Sequence, residues 1–137
     1  MTLTLTGYTP PLQRWLDYVL GAHDPAALQD MLDDTAIFHS PVVHTPQKGK
    51  ALVFAYLLAA DKMFDGNDFH YTRIFDCGDR AVLEFESIVE GIVVNGVDLI
   101  EWNKAGKITE FKVMVRPLKA IQTVHAAMQR MLAQMQA

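Results

Sequence analysis

A carboxyl group becomes chemically useful when apolar neighbours keep water from it. Asp98 is the candidate for that role in this 137-residue chain. It lies in Gly96-Val-Asp-Leu-Ile-Glu-Trp102, where the period of a strand puts it on one face with Ile100 and Trp102. Burial disfavours the ionised form of such a group and raises its pKa. A carboxyl shifted in that way can donate a hydrogen bond, or act as acid or base near neutral pH. The alternative is a buried aspartate satisfied by a tyrosine or a backbone donor, with a structural role only.

The face that Asp98 uses depends on the register of its neighbours. The sequence predicts strands over 68–76, 80–90, 93–102 and 107–115, with turns at Gly78-Asp79, Gly91-Ile92 and Asn103–Gly106. Asn95-Gly96 is a rival hairpin turn. It would pair a very long strand with a very short one, so it is set aside, and Gly96 is expected at a bulge or a point of close backbone approach. Even-length turns then place Asp98 opposite Phe85 and Phe111. One face collects Leu83, Phe85, Ser87, Asp98, Ile100, Trp102, Phe111, Val113 and Val115. The other collects Glu84, Glu86, Glu101, Glu110 and Lys112 around Val82, Val97 and Leu99. Odd-length turns would set Asp98 beside Glu84 and Glu86, which like-charge repulsion disfavours by a few tenths of a kcal/mol. The same register turns His70, Thr72 and Ile74 inward. It sets His70 two strands from Asp98, roughly 10 Å away, as a weaker second candidate with a sheet-edge histidine as the plainer reading.

Helices must cover the apolar face. Thr9-Pro10-Pro11 opens one that carries Leu12, Trp15, Leu16, Val19 and Leu20 and stops at Gly21. Asp24-Pro25 opens a second. A short strand follows at Ala36–Ser40, stopped by Pro41, and then a loop over 44–50. A third helix, from about Gly49 to Lys62, presents Val53, Phe54, Leu57 and Leu58. Pro117 opens a last helix with Leu118, Ile121, Val124, Met128, Met131, Leu132 and Met135 on one side, expected to pack along the sheet or on a second subunit. The whole is an α+β domain.

Arg14-Trp15 ahead of Gly21-Ala-His-Asp24, Ile37-Phe-His-Ser-Pro41, Lys48-Gly49, Gly96-Val-Asp98 and Gly106-Lys-Ile108, taken in order and spacing, resemble the nuclear-transport-factor-2-like superfamily. Within it the chain is similar to SnoaL-like, polyketide-cyclase-like proteins over residues 8–116, with the helix over 117–135 added to a single domain spanning 1–137. The resemblance implies a cone-shaped α+β barrel in which helices close one side of a curved antiparallel sheet and the wide end opens on a small-molecule pocket. It also implies a homodimer. Members include ketosteroid isomerase, polyketide cyclases, epoxide hydrolases, dehydratases and noncatalytic domains.

Carried over residue by residue, the isomerase's oxyanion-holding aspartate falls on Asp98. Its catalytic base falls on Ser40 before Pro41, and its helix-one tyrosine on Trp15. Serine is a poor base without a partner, and an indole N–H donates but cannot accept, so two of the three groups differ. The expected pocket lining is Trp15, Phe38, Ser40, Phe85, Trp102, Phe111, Val113 and Val115.

The rest of the chain narrows the class. Hydrophobic residues make up 50% and charged residues 20%, with a net charge of −4 and no Lys/Arg cluster, which gives no footing for nucleic acid or an anionic membrane. The longest apolar run, Ala51–Ala60, is too short to span a bilayer. The N-terminal Met1–Gly7 lacks the basic start of a signal peptide, and the lone Cys77 forms no intrachain disulfide; a cytoplasmic location is expected. His39 and His44 do not have metal-ligand spacing, and His39 is expected outside the cone. No metal or cofactor is assigned. Three functions stay open: an isomerase- or cyclase-type acid–base enzyme on an apolar or aromatic small molecule, a noncatalytic module binding such a molecule, or a dimeric structural domain with a filled cavity.

Overall fold

A computed structural model of the chain describes residues 3–136; Met1, Thr2 and Ala137 of the expected 1–137 domain lie outside the described residues. Helix α1 (Pro10–Asp17) starts at a proline, which needs no donor there, and buries Leu12, Trp15 and Leu16. The chain does not stop at Gly21 as expected. It continues through one wide turn, Tyr18–Ala22, closed by the His23 N–H on the Tyr18 carbonyl at 3.1 Å. Asp24 caps α2 (Pro25–Met31) by accepting from the Ala26 N–H at 3.0 Å. Strand β1 (Leu32–His39) begins four residues earlier than its predicted start. The loop over 44–50 contains a two-residue strand, β2 (Gln47–Lys48). Helix α3 (Lys50–Phe64), strands β3 (His70–Asp76), β4 (Arg80–Val89), β5 (Ile92–Trp102) and β6 (Ile108–Arg116), and helix α4 (Leu118–Gln136) complete the chain.

The six strands form one curved sheet in the order β2-β1-β6-β5-β4-β3. It is mixed: β1 runs parallel to β6, and the other neighbours are antiparallel. The sheet does not close into a barrel, and helices lie along its concave side. Helix α3 packs on β1, and α4 packs on α3, β5 and β6, so α4 covers this sheet. Leu83, Phe85, Ile100 and Phe111 are at most 2% exposed; each such side chain contributes about 1.5–3 kcal/mol by leaving water.

Strand faces agree with the predicted segregation, but three registers differ. The β4–β5 hairpin turns at Glu90-Gly91, not Gly91-Ile92. Both turn residues have positive φ, 51° and 78°, as a type I′ turn requires. Asp98 therefore sits opposite Leu83, and Ile100 opposite Ala81. Across β6, Asp98 faces Val113 rather than Phe111, with a bulge between Glu101 and Trp102. Both changes slide the pairing by two residues beside Asp98, which keeps every side chain on its face. On β3 the outcome is different. The turn at Gly78-Asp79 leaves Ile74 opposite Leu83 as expected, but a bulge between Tyr71 and Arg73 inserts an extra residue. Beyond it Tyr71 points inward beside Phe85, and His70 points outward opposite Glu86. The inward placement of His70 is thus overturned.

Candidate functional site

Gly96, two residues before Asp98, has no room for a side chain. The Phe85 ring lies directly over it: an added Cβ would meet the ring at 2.5 Å and the Met114 carbonyl oxygen at 2.7 Å. This is the close approach expected of that glycine. Phe64 and Phe69 pack on Phe85 from the inner side, with ring centroids 5.3 and 5.1 Å away.

Between this layer and the helices lies a cavity of about 440 Å³, within the range of small-molecule sites. Its wall includes Trp15, Phe38, Ser40, Phe111, Val113 and Val115. Trp15 meets Phe111 edge-on at 5.0 Å, and Phe38 stacks on Tyr56 at 5.5 Å. Two expected lining residues are displaced. Phe85 is screened by Phe64 and Phe69, which take its place in the wall. Trp102 is buried but lies four residues along β5 from Asp98, roughly 13 Å at strand rise, and is outside the lining. His70 is also outside it; its ring is half exposed, 3.7 Å from Glu86.

Asp98 is 6% exposed and lines the cavity. Among the described residues it is the one charged residue in the buried set. Its Oδ2 accepts the Tyr71 hydroxyl at 2.7 Å, and the Tyr71 oxygen accepts the Trp15 indole N–H at 3.0 Å. Burial pushes the Asp98 carboxyl up to about 7, and the Tyr71 hydrogen bond partly opposes this. Burial and the adjacent carboxyl push the Tyr71 hydroxyl well above its usual range, so it stays a donor. Because Tyr71 already donates to Oδ2, the proton of neutral Asp98 belongs on Oδ1. Helix α1 has no hydroxyl at Trp15; the hydroxyl beside Asp98 is that of Tyr71 on β3. Tyr71 escaped the sequence reading because only the bulge turns it inward.

Ser40 reaches the cavity wall, but its Oγ accepts from the Val42 N–H at 3.1 Å. It shapes a turn, and no base touches it among the described hydrogen bonds. His39 lies outside as expected, 2.9 Å from Glu110.

A second polar group also escaped the sequence reading. Asp61 of α3 accepts the Tyr18 hydroxyl at 2.8 Å on Oδ2, and its Oδ1 lies 2.8 Å from His23 Nδ1. Both Asp61 and His23 line the cavity. The wide turn after α1 and a left-handed His23 (φ 53°) fold the imidazole back, 6.2 Å from the Tyr18 ring. A signal was present: Asp61 stands four and eight residues after Leu57 and Val53, on the buried stripe of α3.

The family model of the SnoaL-like domain matches residues 12–111. No curated protein matches the chain. Among solved structures, it is similar to a steroid delta-isomerase from Pseudomonas aeruginosa, at 33% identity over 90% of each chain with a TM-score of 0.83. It is also similar to an uncharacterized bacterial protein with a cystatin-like fold from Silicibacter pomeroyi, at 30% identity over 93% of this chain and 89% of that one, TM-score 0.83. A putative SnoaL-like polyketide cyclase from Shewanella denitrificans shares the fold at 19% identity, over 89% of this chain and 99% of that one, with a TM-score of 0.62.

Proposed function

The chain belongs to the SnoaL-like domain family, and from that premise we propose that it is an acid–base enzyme of the isomerase or cyclase kind, acting on a small, largely apolar ketone. The observation that carries this reading is the buried Asp98 in the cavity wall, with Oδ2 held by Tyr71. A protonated Oδ1 donates to the oxygen of a bound carbonyl and stabilises the negative charge that develops there. The apolar wall excludes water and strengthens that bond. The similarity to a steroid delta-isomerase supports a β,γ-unsaturated steroid ketone as the first substrate to try.

The test is conversion of that ketone to its conjugated isomer, followed by absorbance, in wild type and Asp98→Asn. The expected result is turnover by wild type and a loss on the order of 10²–10³-fold in the variant, the usual cost of removing an oxyanion donor, with ligand still bound. Binding by both proteins with turnover by neither makes the cavity a binding module instead.

Two copies are proposed to associate through the outer sheet face. There exposed Phe75, Val93 and Met114 are interspersed with charges of both signs such as Arg73, Glu86 and Lys112. Light scattering that gives the mass of a single chain at micromolar concentration would remove this proposal. Among the described residues, no helix is long and apolar enough to cross a membrane.

A further inference from the structure

Enolising a ketone needs two groups: one at the carbonyl oxygen and a base at the adjacent carbon. Asp98 supplies the first, and Ser40, tied into its turn, does not supply the second. We propose that His23, held by Asp61, is the proton-transferring base of this cavity. The proposal rests on the acid–base reading of Asp98 and extends it to a second residue.

The geometry fixes the tautomer of the imidazole. Asp61 Oδ2 takes the Tyr18 hydroxyl at 2.8 Å, and His23 Nδ1 faces both carboxyl oxygens, 2.8 Å from Oδ1 and 3.0 Å from Oδ2. A carboxylate only accepts, so Nδ1 carries a proton, and in the neutral ring the lone pair is left at Nε2. The side chain of Asp61 is 8% exposed, whereas that of His23 is 32% exposed: the acceptor is sheltered and the ring is reachable. Burial and the Asp61 hydrogen bond raise the Tyr18 hydroxyl far above its usual range, so Tyr18 remains a donor and cannot turn the carboxylate away from His23. The charged or titratable groups beside the ring are Tyr18 from its own segment, Asp61 of α3 and Asp65 just past the end of that helix; His125 of α4 shares the cavity wall. Asp65 Oδ1 lies 3.9 Å from Nε2, too far for a hydrogen bond.

The step balances without any co-reactant. Nε2 takes a proton from the carbon between the carbonyl and the double bond. The C–H pair becomes a carbon–carbon π bond, and the carbonyl π pair moves to the oxygen that Asp98 holds. The imidazolium then returns its proton to the far carbon of the dienolate, the oxygen re-forms the carbonyl, and the conjugated ketone leaves with unchanged composition. Asp61 is a positioning residue in this scheme.

The left-handed backbone at His23 is one that asparagine and glycine adopt readily, so His23→Asn and His23→Gly are suited to the fold. With the β,γ-unsaturated steroid ketone as probe, both should lower kcat by roughly 10²–10⁴-fold, the usual contribution of a general base. Added imidazole should restore part of the His23→Gly rate. Asp61→Asn should place its amide against Nδ1 and move the ring proton to Nε2, visible in ¹⁵N spectra of the imidazole, with kcat falling while KM holds. Wild-type kcat in His23→Asn, alongside an inactive Asp98→Asn, overturns His23 alone. A neutral wild-type ring protonated at Nε2 overturns it as well, whatever Asp98 does. Activity that survives Asp98→Asn but not His23→Asn keeps His23 and removes the acid–base reading of Asp98. A wild type inert toward the probe overturns both.

Discussion

The buried carboxyl of Asp98 ties the stability of the fold to pH. Its folded pKa, near 7, stands above the usual carboxyl value of 3.8. The folded protein therefore binds the proton more tightly than the unfolded chain does. The stability this group contributes is present below about pH 4 and is lost as pH rises through about 7. At 1.36 kcal/mol per unit, the loss is at most about 4 kcal/mol. Asp98→Asn abolishes that slope, so the variant's stability relative to wild type should climb between pH 4 and 7, as urea melts across pH will measure. Tyr71→Phe removes the one hydrogen bond that lowers the Asp98 pKa. NMR titration should find the carboxyl shifted further up, and the fold should lose roughly 1–3 kcal/mol because the Trp15 N–H is left without its acceptor. Asp98 was legible because it interrupts an alternating apolar face. Asp61 interrupts a helical stripe in the same way and was readable in principle. His23 was not, since its partner is 38 residues away and a wide helical turn brings the ring around.

Among the elements, β5 carries the most constraint. Gly96 has no room for a side chain, because the Phe85 ring and the Met114 carbonyl close over it. Gly96→Ala should cost about 1–3 kcal/mol by chemical denaturation. Combining it with Phe85→Ala should not recover the loss, since the backbone carbonyl still obstructs the methyl group. The strands themselves were readable from alternation and turn residues. Their registers were less so: Glu90-Gly91 and Gly91-Ile92 are both two-residue turns, and the choice between them slides the pairing without changing which face is buried. A bulge leaves no comparable mark in composition. The one between Tyr71 and Arg73 exchanged an inward His70 for an inward Tyr71, the largest departure from the predicted site.

For the whole molecule, the sheet alone does not make the cavity. Helix α4 supplies Val124, His125, Met128, Gln129 and Leu132 to its wall. Ligand bound at a hundred times its dissociation constant adds about 2.7 kcal/mol to stability. Met128→Trp should fill the space, leaving the melting temperature near wild type while removing the ligand-induced rise; a thermal-shift titration reads both. The hydrogen-bonded series Trp15–Tyr71–Asp98 spans α1, β3 and β5, so one indole is in contact, through a single hydroxyl, with the charge state of the carboxyl. Trp15 emission is therefore a built-in optical gauge of that ionisation. Its intensity and wavelength should follow the carboxyl's titration near pH 7 without any attached dye, while Trp102, outside the cavity wall, contributes a steady background.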